Sequence, residues 1–142
     1  LAREALTLAM HKLPFKTTPE SAVLRYNKSA WSNPDFVTDE INRLLDKRVI
    51  KEVLDVPTVV NPLTVAFSKA GKPRLVLDSR HINPHLHLLK VKFEDIKVAK
   101  ALFHPGSFVF TYDLKSAYHH IDIFQEHIVY LGFSWEIKGE LK

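Results

Sequence analysis

The chain has 142 residues, of which 46% are hydrophobic and 25% are charged, and this composition is typical of one ordinary globular domain. No apolar run approaches the roughly 18 residues that a membrane-spanning helix requires, so we expect no membrane partner. The absence of cysteine excludes a disulfide framework and any cysteine-ligated metal within these residues.

Basic residues concentrate between residues 68 and 92. That stretch holds six basic side chains against one acidic one, Asp78, which gives it a net charge of +5 in a chain whose net charge is +4. The remainder is therefore close to neutral. A basic patch on an otherwise balanced domain predicts a polyanionic partner such as phosphate or nucleic acid, although surface lysines also serve solubility.

Residues 1–36 show little periodicity beyond one possible helix at residues 2–13, and we interpret them as an N-terminal arm or linker. From Thr38 onward, apolar residues recur at helical spacing, and Thr38 itself can cap. The pattern predicts a helix from Thr38 to about Glu52.

A β-hairpin with a basic tip is predicted next. Apolar residues alternate along both arms, and Ala70-Gly71 supplies the turn between them. The alternating residues are Leu63, Val65 and Phe67 on the first arm and Leu75 and Leu77 on the second.

The remaining elements complete an α+β pattern of antiparallel β-hairpins with packed helices. Residues 93–103 predict a helix, with Glu94 and Asp95 in its first turn and Pro105-Gly106 ending it. Beyond it we predict a strand at residues 107–113, a turn or short helix at residues 114–120 and an apolar strand at residues 128–135. Residues 133–142 read as a strand, a Lys138-Gly139 turn and a returning strand that stops early, so we expect the chain to be a piece of a larger protein.

The hairpin tip is the first candidate site. Lys69 and Arg74 flank the turn, and a rigid arm can direct both cations at one phosphate group. The alternative is a solvated tip, where lysines protect an exposed edge.

A second candidate lies at the end of the predicted strand, where Asp113 could hold a hard cation such as Mg²⁺ or simply cap the turn that follows. Tyr118 would line the same pocket or pack as an ordinary core ring. The histidines match no zinc spacing, and surface or nucleic-acid contacts suit them better. They are His81, His85, His87, His119 and His120.

Together these segments resemble the fingers and first palm segments of a retroelement reverse transcriptase. The resemblance covers roughly residues 37–135 and depends on motifs that fall in the family's order. They are a lysine before a glycine turn, an R-x-x-x-D-x-R-x-x-N run at Arg74, Asp78, Arg80 and Asn83, and a D-x-x-x-x-Y-H motif at Asp113, Tyr118 and His119. The wording "SRHIN" is most similar to elements of the DIRS type.

The resemblance implies a fold and a domain division. The fold would be the fingers and partial palm of a right-hand polymerase, with the arm at residues 1–36, fingers at residues 37–106 and the first part of the palm at residues 107–142. The implied partners are an RNA or DNA template, a DNA primer, a deoxynucleoside triphosphate and the remaining palm and thumb of the parent protein.

The resemblance also implies roles for single residues. Asp113 would be a catalytic metal-binding aspartate, with the Leu114 backbone carbonyl as a second ligand of the two Mg²⁺ ions of the complete enzyme. Lys69 and Arg74 would hold the nucleotide's β and γ phosphates. Tyr118 would be the steric gate that rejects a 2′-hydroxyl. The template backbone would be contacted by Asp78, Arg80 and Asn83.

The sequence also departs from the family pattern. These residues contain no pair of adjacent aspartates and no "PFG"-like run, and the spacing from Lys69 to Arg74 is shorter than in many relatives. We therefore expect this chain alone not to polymerise. A non-catalytic nucleic-acid-binding module derived from a reverse transcriptase is the alternative, and a plain protein-interaction domain is a third hypothesis.

Overall fold

The computed structural model describes residues 10–88, 90, 95–137 and 140–141. This part of the chain is a mixed α+β structure, as the sequence predicted. Its helices are α1 (Lys28–Trp31), α2 (Pro34–Asp46) and α3 (Ile96–Leu102), and 3₁₀ turns occupy Asn83–His85, Ala117–His120 and Gln125–Tyr130. Its strands are β1 (Ala22–Val23), β2 (Val59–Val60), β3 (Leu63–Phe67), β4 (Pro73–Leu77), β5 (Glu136–Ile137) and β6 (Glu140–Leu141). None of these helices has the length and apolar character needed to span a bilayer.

The predicted hairpin is confirmed as the antiparallel pair β3–β4. Leu63 lies opposite Leu77, and Val65 lies opposite Leu75. The turn depends on Gly71, whose φ of +75° is a left-handed conformation that glycine adopts without a Cβ penalty. Because side chains alternate across a strand, the apolar set lies on one face, and this face packs against α1 and α2. The buried residues of this core are Ala30, Val37, Ile41, Leu63, Val65 and Trp135.

Helix α2 begins and ends earlier than the sequence predicted. Asn33 has a φ of −136° and a ψ of 53°, which are not helical, and Pro34 occupies the first helical turn, where its missing N–H is not needed. The helix stops at Asp46, and Arg48 adopts a left-handed φ of 56°, which a continuing helix cannot include. Thr38 is therefore a helical residue rather than a cap, and its Oγ1 accepts a hydrogen bond of 3.0 Å from Trp135 Nε1.

Residues of the N-terminal arm are part of this fold. β1 pairs in parallel with β2, and Ala30 in α1 is fully buried in the core. Residues 10–13 are not helical, while residues 2–9 of the possible helix lie outside the described part.

A strap, formed by residues 11–17, connects two distant segments of the chain. At one end the His11 N–H donates to the Asp122 carbonyl at 2.7 Å, and at the other the Lys16 N–H donates to the His85 carbonyl at 2.9 Å. Between them the Leu13 N–H donates to His127 Nδ1 at 3.0 Å. The strap thus ties the segment after β4 to the segment that leads into the 3₁₀ turn at residues 125–130.

Two predicted strands are wrong. Residues 107–113 pair with no strand of the described part and are exposed throughout. Residues 128–135 form the end of a 3₁₀ turn and an irregular run, with one isolated bridge between Val60 and Gly132. Alternation shows which residues share a face, but a strand also needs a neighbouring strand to pair with, and beyond that one bridge neither segment pairs with one among the described residues.

The other local predictions agree with the described residues. α3 begins at Ile96 with Asp95 as its N-cap, whose side chain accepts hydrogen bonds from the Lys97 and Val98 N–H groups. Residues 117–120 form the expected short turn. β5 and β6 form the expected final hairpin, while Lys138-Gly139, Phe93 and Glu94 lie outside the described part.

Candidate functional site

The hairpin has a second face that points away from the core. Thr64 lies opposite Val76, and Ala66 lies opposite Arg74, so these four side chains share the face that α1 and α2 leave uncovered. The side chain of Arg74 is exposed and makes no hydrogen bond or ion pair within the described residues. Its guanidinium is therefore free to bind an external anion. We call this surface the open face of the hairpin.

A polar network closes one end of the open face, beyond β4. Asn27 precedes α1, and its Nδ2 donates to Thr64 Oγ1 at 2.6 Å and to Asp78 Oδ2 at 2.9 Å. The Asp78 N–H donates to the Pro62 carbonyl at 2.8 Å, which extends the hairpin ladder by one residue. Hydrogen bonds therefore hold both the backbone and the side chain of Asp78 in place.

Arg80 completes this network from the solvent side. Its Nε donates to Asp78 Oδ1 at 2.8 Å, and its Nη2 donates to Asp78 Oδ2 at 2.5 Å. The Asp78 side chain is 11% exposed, whereas that of Arg80 is 80% exposed. Nη1 of Arg80 has no hydrogen bond within the described residues, so the outer edge of the guanidinium remains available to a ligand.

The charges in this network favour the ionised pair. The hydrogen bond from Arg80, assisted by that from Asn27 and opposed by partial burial, holds the pKa of Asp78 well below its usual range. The same contact raises the pKa of Arg80. The pair therefore stays ionised throughout the physiological range, and Asp78 fixes the orientation of a guanidinium that otherwise extends into water.

These residues line an open concavity of about 480 Å³. Its walls are Asn27, Thr64, Val76, Leu77, Asp78, Ser79, Arg80 and Asn83. The concavity thus combines an apolar floor from β4 with polar groups at its rim. Arg74 lies on the same face, one same-side position along the strand from Val76, so it lies beside the concavity that Arg80 lines.

The structure therefore brings together part of the set that the sequence singled out. Asp78, Arg80 and Asn83 line the concavity, and Arg74 lies beside it. Lys69 is exposed in the turn at the far end of the hairpin. All of these residues belong to one hairpin and the turn that follows it.

The palm candidates lie in a different environment. Asp113 is exposed and makes no hydrogen bond or ion pair within the described residues, so the structure does not use it as a cap. Tyr118 is 89% exposed and Leu114 is 62% exposed, which excludes core packing for the Tyr118 ring. No described contact joins these three residues to the hairpin.

The carboxylates do not form a metal centre by themselves. Among the described residues, no three histidine, aspartate or glutamate side chains converge where they could hold a metal ion. Asp113 is a single exposed carboxylate, and Mg²⁺ bound by one carboxylate depends on further oxygen ligands. The described part of this chain does not by itself form a two-metal site.

Three of the five histidines that the sequence singled out make side-chain hydrogen bonds within the described residues. Two of these three hydrogen bonds are to residues of the N-terminal arm. His85 Nδ1 is 2.9 Å from Thr17 Oγ1, and His81 Nε2 is 3.2 Å from the Glu20 carbonyl. His120 Nε2 is 3.2 Å from the Lys115 carbonyl.

The sequence analysis missed two members of the polar network, Asn27 and Thr64. Asn27 lies in the arm, 37 residues before Thr64 and 51 before Asp78. No local pattern relates residues at such separations, but the alternation of β3 does place Thr64 on the solvent side, and this signal could have indicated it.

Comparison with known proteins found no matching family model, no matching curated protein and no matching solved structure.

Proposed function

We propose that this chain is the fingers and first palm segment of a retroelement RNA-directed DNA polymerase. The observation that carries the proposal is the open face of the hairpin. Arg74 lies beside the concavity on this face, and Arg80, whose guanidinium Asp78 holds in place, lines it. These residues occur in the order and spacing of the family motif that the sequence resembles. The DIRS type of element is the finer assignment.

The proposed role of the concavity is to bind the template strand. Asp78 orients Arg80 and leaves its outer N–H groups pointing to solvent, where a phosphate oxygen can accept them. Asn83 is exposed at the same rim and adds an amide donor. Backbone contacts of this kind position a strand without reading its sequence, as a polymerase requires.

The proposed role of the hairpin tip and open face is to hold the incoming nucleotide. Arg74 offers a bidentate fork and Lys69 a point charge, and triphosphate oxygens suit both. Asp113 and the Leu114 carbonyl would belong to the metal site of the complete enzyme, and Tyr118 would exclude ribonucleotides. Mg²⁺ in such a site stabilises the charge that develops in nucleotidyl transfer.

Binding to a primer–template duplex, measured by fluorescence anisotropy across a salt series, tests the nucleic-acid part of the proposal. We expect log Kd to rise linearly with log salt, and Arg74→Ala to weaken binding severalfold and to reduce the slope by about one. Lys47→Ala is the control, because it removes one positive charge from an exposed position at the end of α2, outside the concavity. Equal losses for the two variants would mean that the open face is not the binding surface.

Primer extension tests the catalytic part. With Mg²⁺ and dTTP on a poly(A) template, we expect extension by a longer form that includes a complete palm and thumb, and none by the 142-residue chain. Asp113→Asn should abolish extension by the longer form and leave its primer–template affinity unchanged. An inactive longer form that still binds nucleic acid with a steep salt dependence would favour the non-catalytic module instead.

A further inference from the structure

The polar network fixes the direction in which the Thr64 hydroxyl donates its hydrogen. Asn27 Nδ2 donates to Asp78 Oδ2 at 2.9 Å and to Thr64 Oγ1 at 2.6 Å. An ionised carboxylate only accepts hydrogen bonds, so the Asn27 atom that faces Asp78 is the amide nitrogen, and its second hydrogen goes to Thr64. Thr64 Oγ1 is therefore an acceptor towards Asn27.

The hydrogen of the Thr64 hydroxyl has no acceptor within the described residues. An amide nitrogen has no lone pair to offer it, and Thr64 Oγ1 makes no hydrogen bond in this part of the chain other than that with Asn27. The Thr64 side chain is half-buried and lines the concavity. Its O–H group is therefore left to donate to a ligand in the concavity.

The Asp78 carboxylate offers such a ligand no competing acceptor. Its Oδ1 accepts from the backbone N–H and the Nε of Arg80, and its Oδ2 accepts from Nη2 of Arg80 and from Asn27. These bonds use the roughly four acceptor sites of a carboxylate. The network therefore presents donors to the concavity, from the Thr64 hydroxyl and from the outer edge of the Arg80 guanidinium.

We propose that Thr64 is a further template-binding residue, whose hydroxyl donates to a phosphate oxygen beside Arg80, and that Asn27 is the positioning residue that holds this hydroxyl as a donor. This inference rests on the proposed function, because it takes the template phosphate as the ligand. The charged oxygens of a phosphodiester only accept hydrogen bonds, so a guanidinium edge and a hydroxyl both suit them. The hydroxyl carries no charge, so it strengthens binding without adding to the salt dependence.

Substitutions of similar shape at Thr64 test the donor. Thr64→Val removes the hydroxyl and should weaken binding of the primer–template duplex in fluorescence anisotropy by roughly fivefold to tenfold. The slope of log Kd against log salt should stay unchanged, whereas Arg74→Ala should reduce it. Thr64→Ser keeps the donor and should bind within about twofold of the unmodified chain. Thr18→Val is the matched control, because it makes the same change at an exposed threonine of the arm, outside the concavity.

A double-mutant cycle tests the positioning role of Asn27. The Asn27 side chain makes no capping hydrogen bond to α1, so Asn27→Ala removes no helix cap, and Asn27→Ser, whose side chain is too short to reach both partners, is the second variant. Each should weaken duplex binding, and Thr64→Val should cause a smaller further loss in either background than it does alone. Losses that add independently in both backgrounds would overturn the positioning role.

A measurement on the free protein complements the cycle. The hydrogen bonds from Arg80 and Asn27 lower the pKa of Asp78 against the effect of partial burial, so Asn27→Ala should raise it. Carbon-13 chemical shifts of the carboxyl group measure this pKa without nucleic acid. An unchanged pKa would show that Asn27 does not hold Asp78, and it would likewise overturn the positioning role.

The outcomes separate this inference from the proposed function. If the unmodified chain binds the duplex with the expected salt slope, but Thr64→Val binds equally tightly, the inference is overturned and the proposed function stands. The same conclusion follows if Thr64→Ser or Thr18→Val loses as much affinity as Thr64→Val. A chain that does not bind the duplex at any salt concentration would overturn both.

Discussion

The two faces of the hairpin can be compared with a pair of identical substitutions. Val65 on β3 is 4% exposed within the core, whereas Val76 on β4 is 42% exposed on the open face. At each position, Val→Ala removes two methyl groups and lowers the intrinsic preference for a strand by the same amount. The difference in free energy of unfolding between the two variants therefore reports burial alone.

The expected magnitudes follow from the exposed fractions. Val65→Ala loses about 0.8 kcal/mol of transfer free energy per methyl group and leaves a cavity between the hairpin and α1, for a total of about 2 kcal/mol or more. Val76→Ala opens no closed cavity and should cost less than about 1 kcal/mol.

Urea unfolding measures the loss of stability of both variants, provided that the dependence of the free energy of unfolding on urea concentration has the same slope for both. With slopes of about 1–3 kcal/mol per molar urea, a difference of about 1 kcal/mol or more should separate the midpoints by roughly 0.3 M or more. Equal midpoints for the two variants, or a lower midpoint for Val76→Ala, would refute the assignment of the faces and with it the open face as a binding surface.

Three further outcomes are expected. The pKa of Asp78 is lowered in the folded state, so its ionised form stabilises the fold fully above the ordinary aspartate pKa of about 4. This contribution to stability is lost as the pH falls through the folded-state pKa. Between pH 7 and pH 2 the free energy of unfolding should therefore fall less steeply for Asp78→Asn than for the unmodified protein. Gly132→Ala should destabilise by about 1–3 kcal/mol in thermal unfolding, because the new Cβ would lie 2.5 Å from Pro57 Cγ, and an unchanged melting temperature would contradict this packing. Asn61→Ala should lower the free energy of unfolding in urea by about 2 kcal/mol, because Asn61 is 2% exposed and its Nδ2 donates to the Tyr130 and Gly132 carbonyls. A loss below about 0.5 kcal/mol would show that these hydrogen bonds do not contribute to stability.

The sequence predicted those elements that local chemistry determines. The β3–β4 hairpin has period-two alternation on both arms and a glycine at its left-handed turn position, and both signals are read within a few residues. The bounds of α2 were less accurate. Thr38 was interpreted as a cap, although Pro34 is the stronger signal for a first helical turn.

The errors concern features that depend on distant residues. Residues 107–113 alternate as a strand does, but alternation cannot supply a pairing partner. Part of the candidate site was found because Arg74, Asp78, Arg80 and Asn83 fall in one short motif. Asn27 was missed because its contact with Asp78 exists only after the chain has folded.

The strap has a consequence for the order in which the chain folds. Its backbone contacts join His11 to Asp122 and Lys16 to His85, which lie 111 and 69 positions apart along the chain. Contacts that close such long loops form slowly, whereas the β3–β4 hairpin closes over a few residues. We therefore expect the hairpin and α2 to assemble first and the strap to dock last. In native-state hydrogen exchange, the amides of His11 and Lys16 should open at a lower free energy than those of the hairpin.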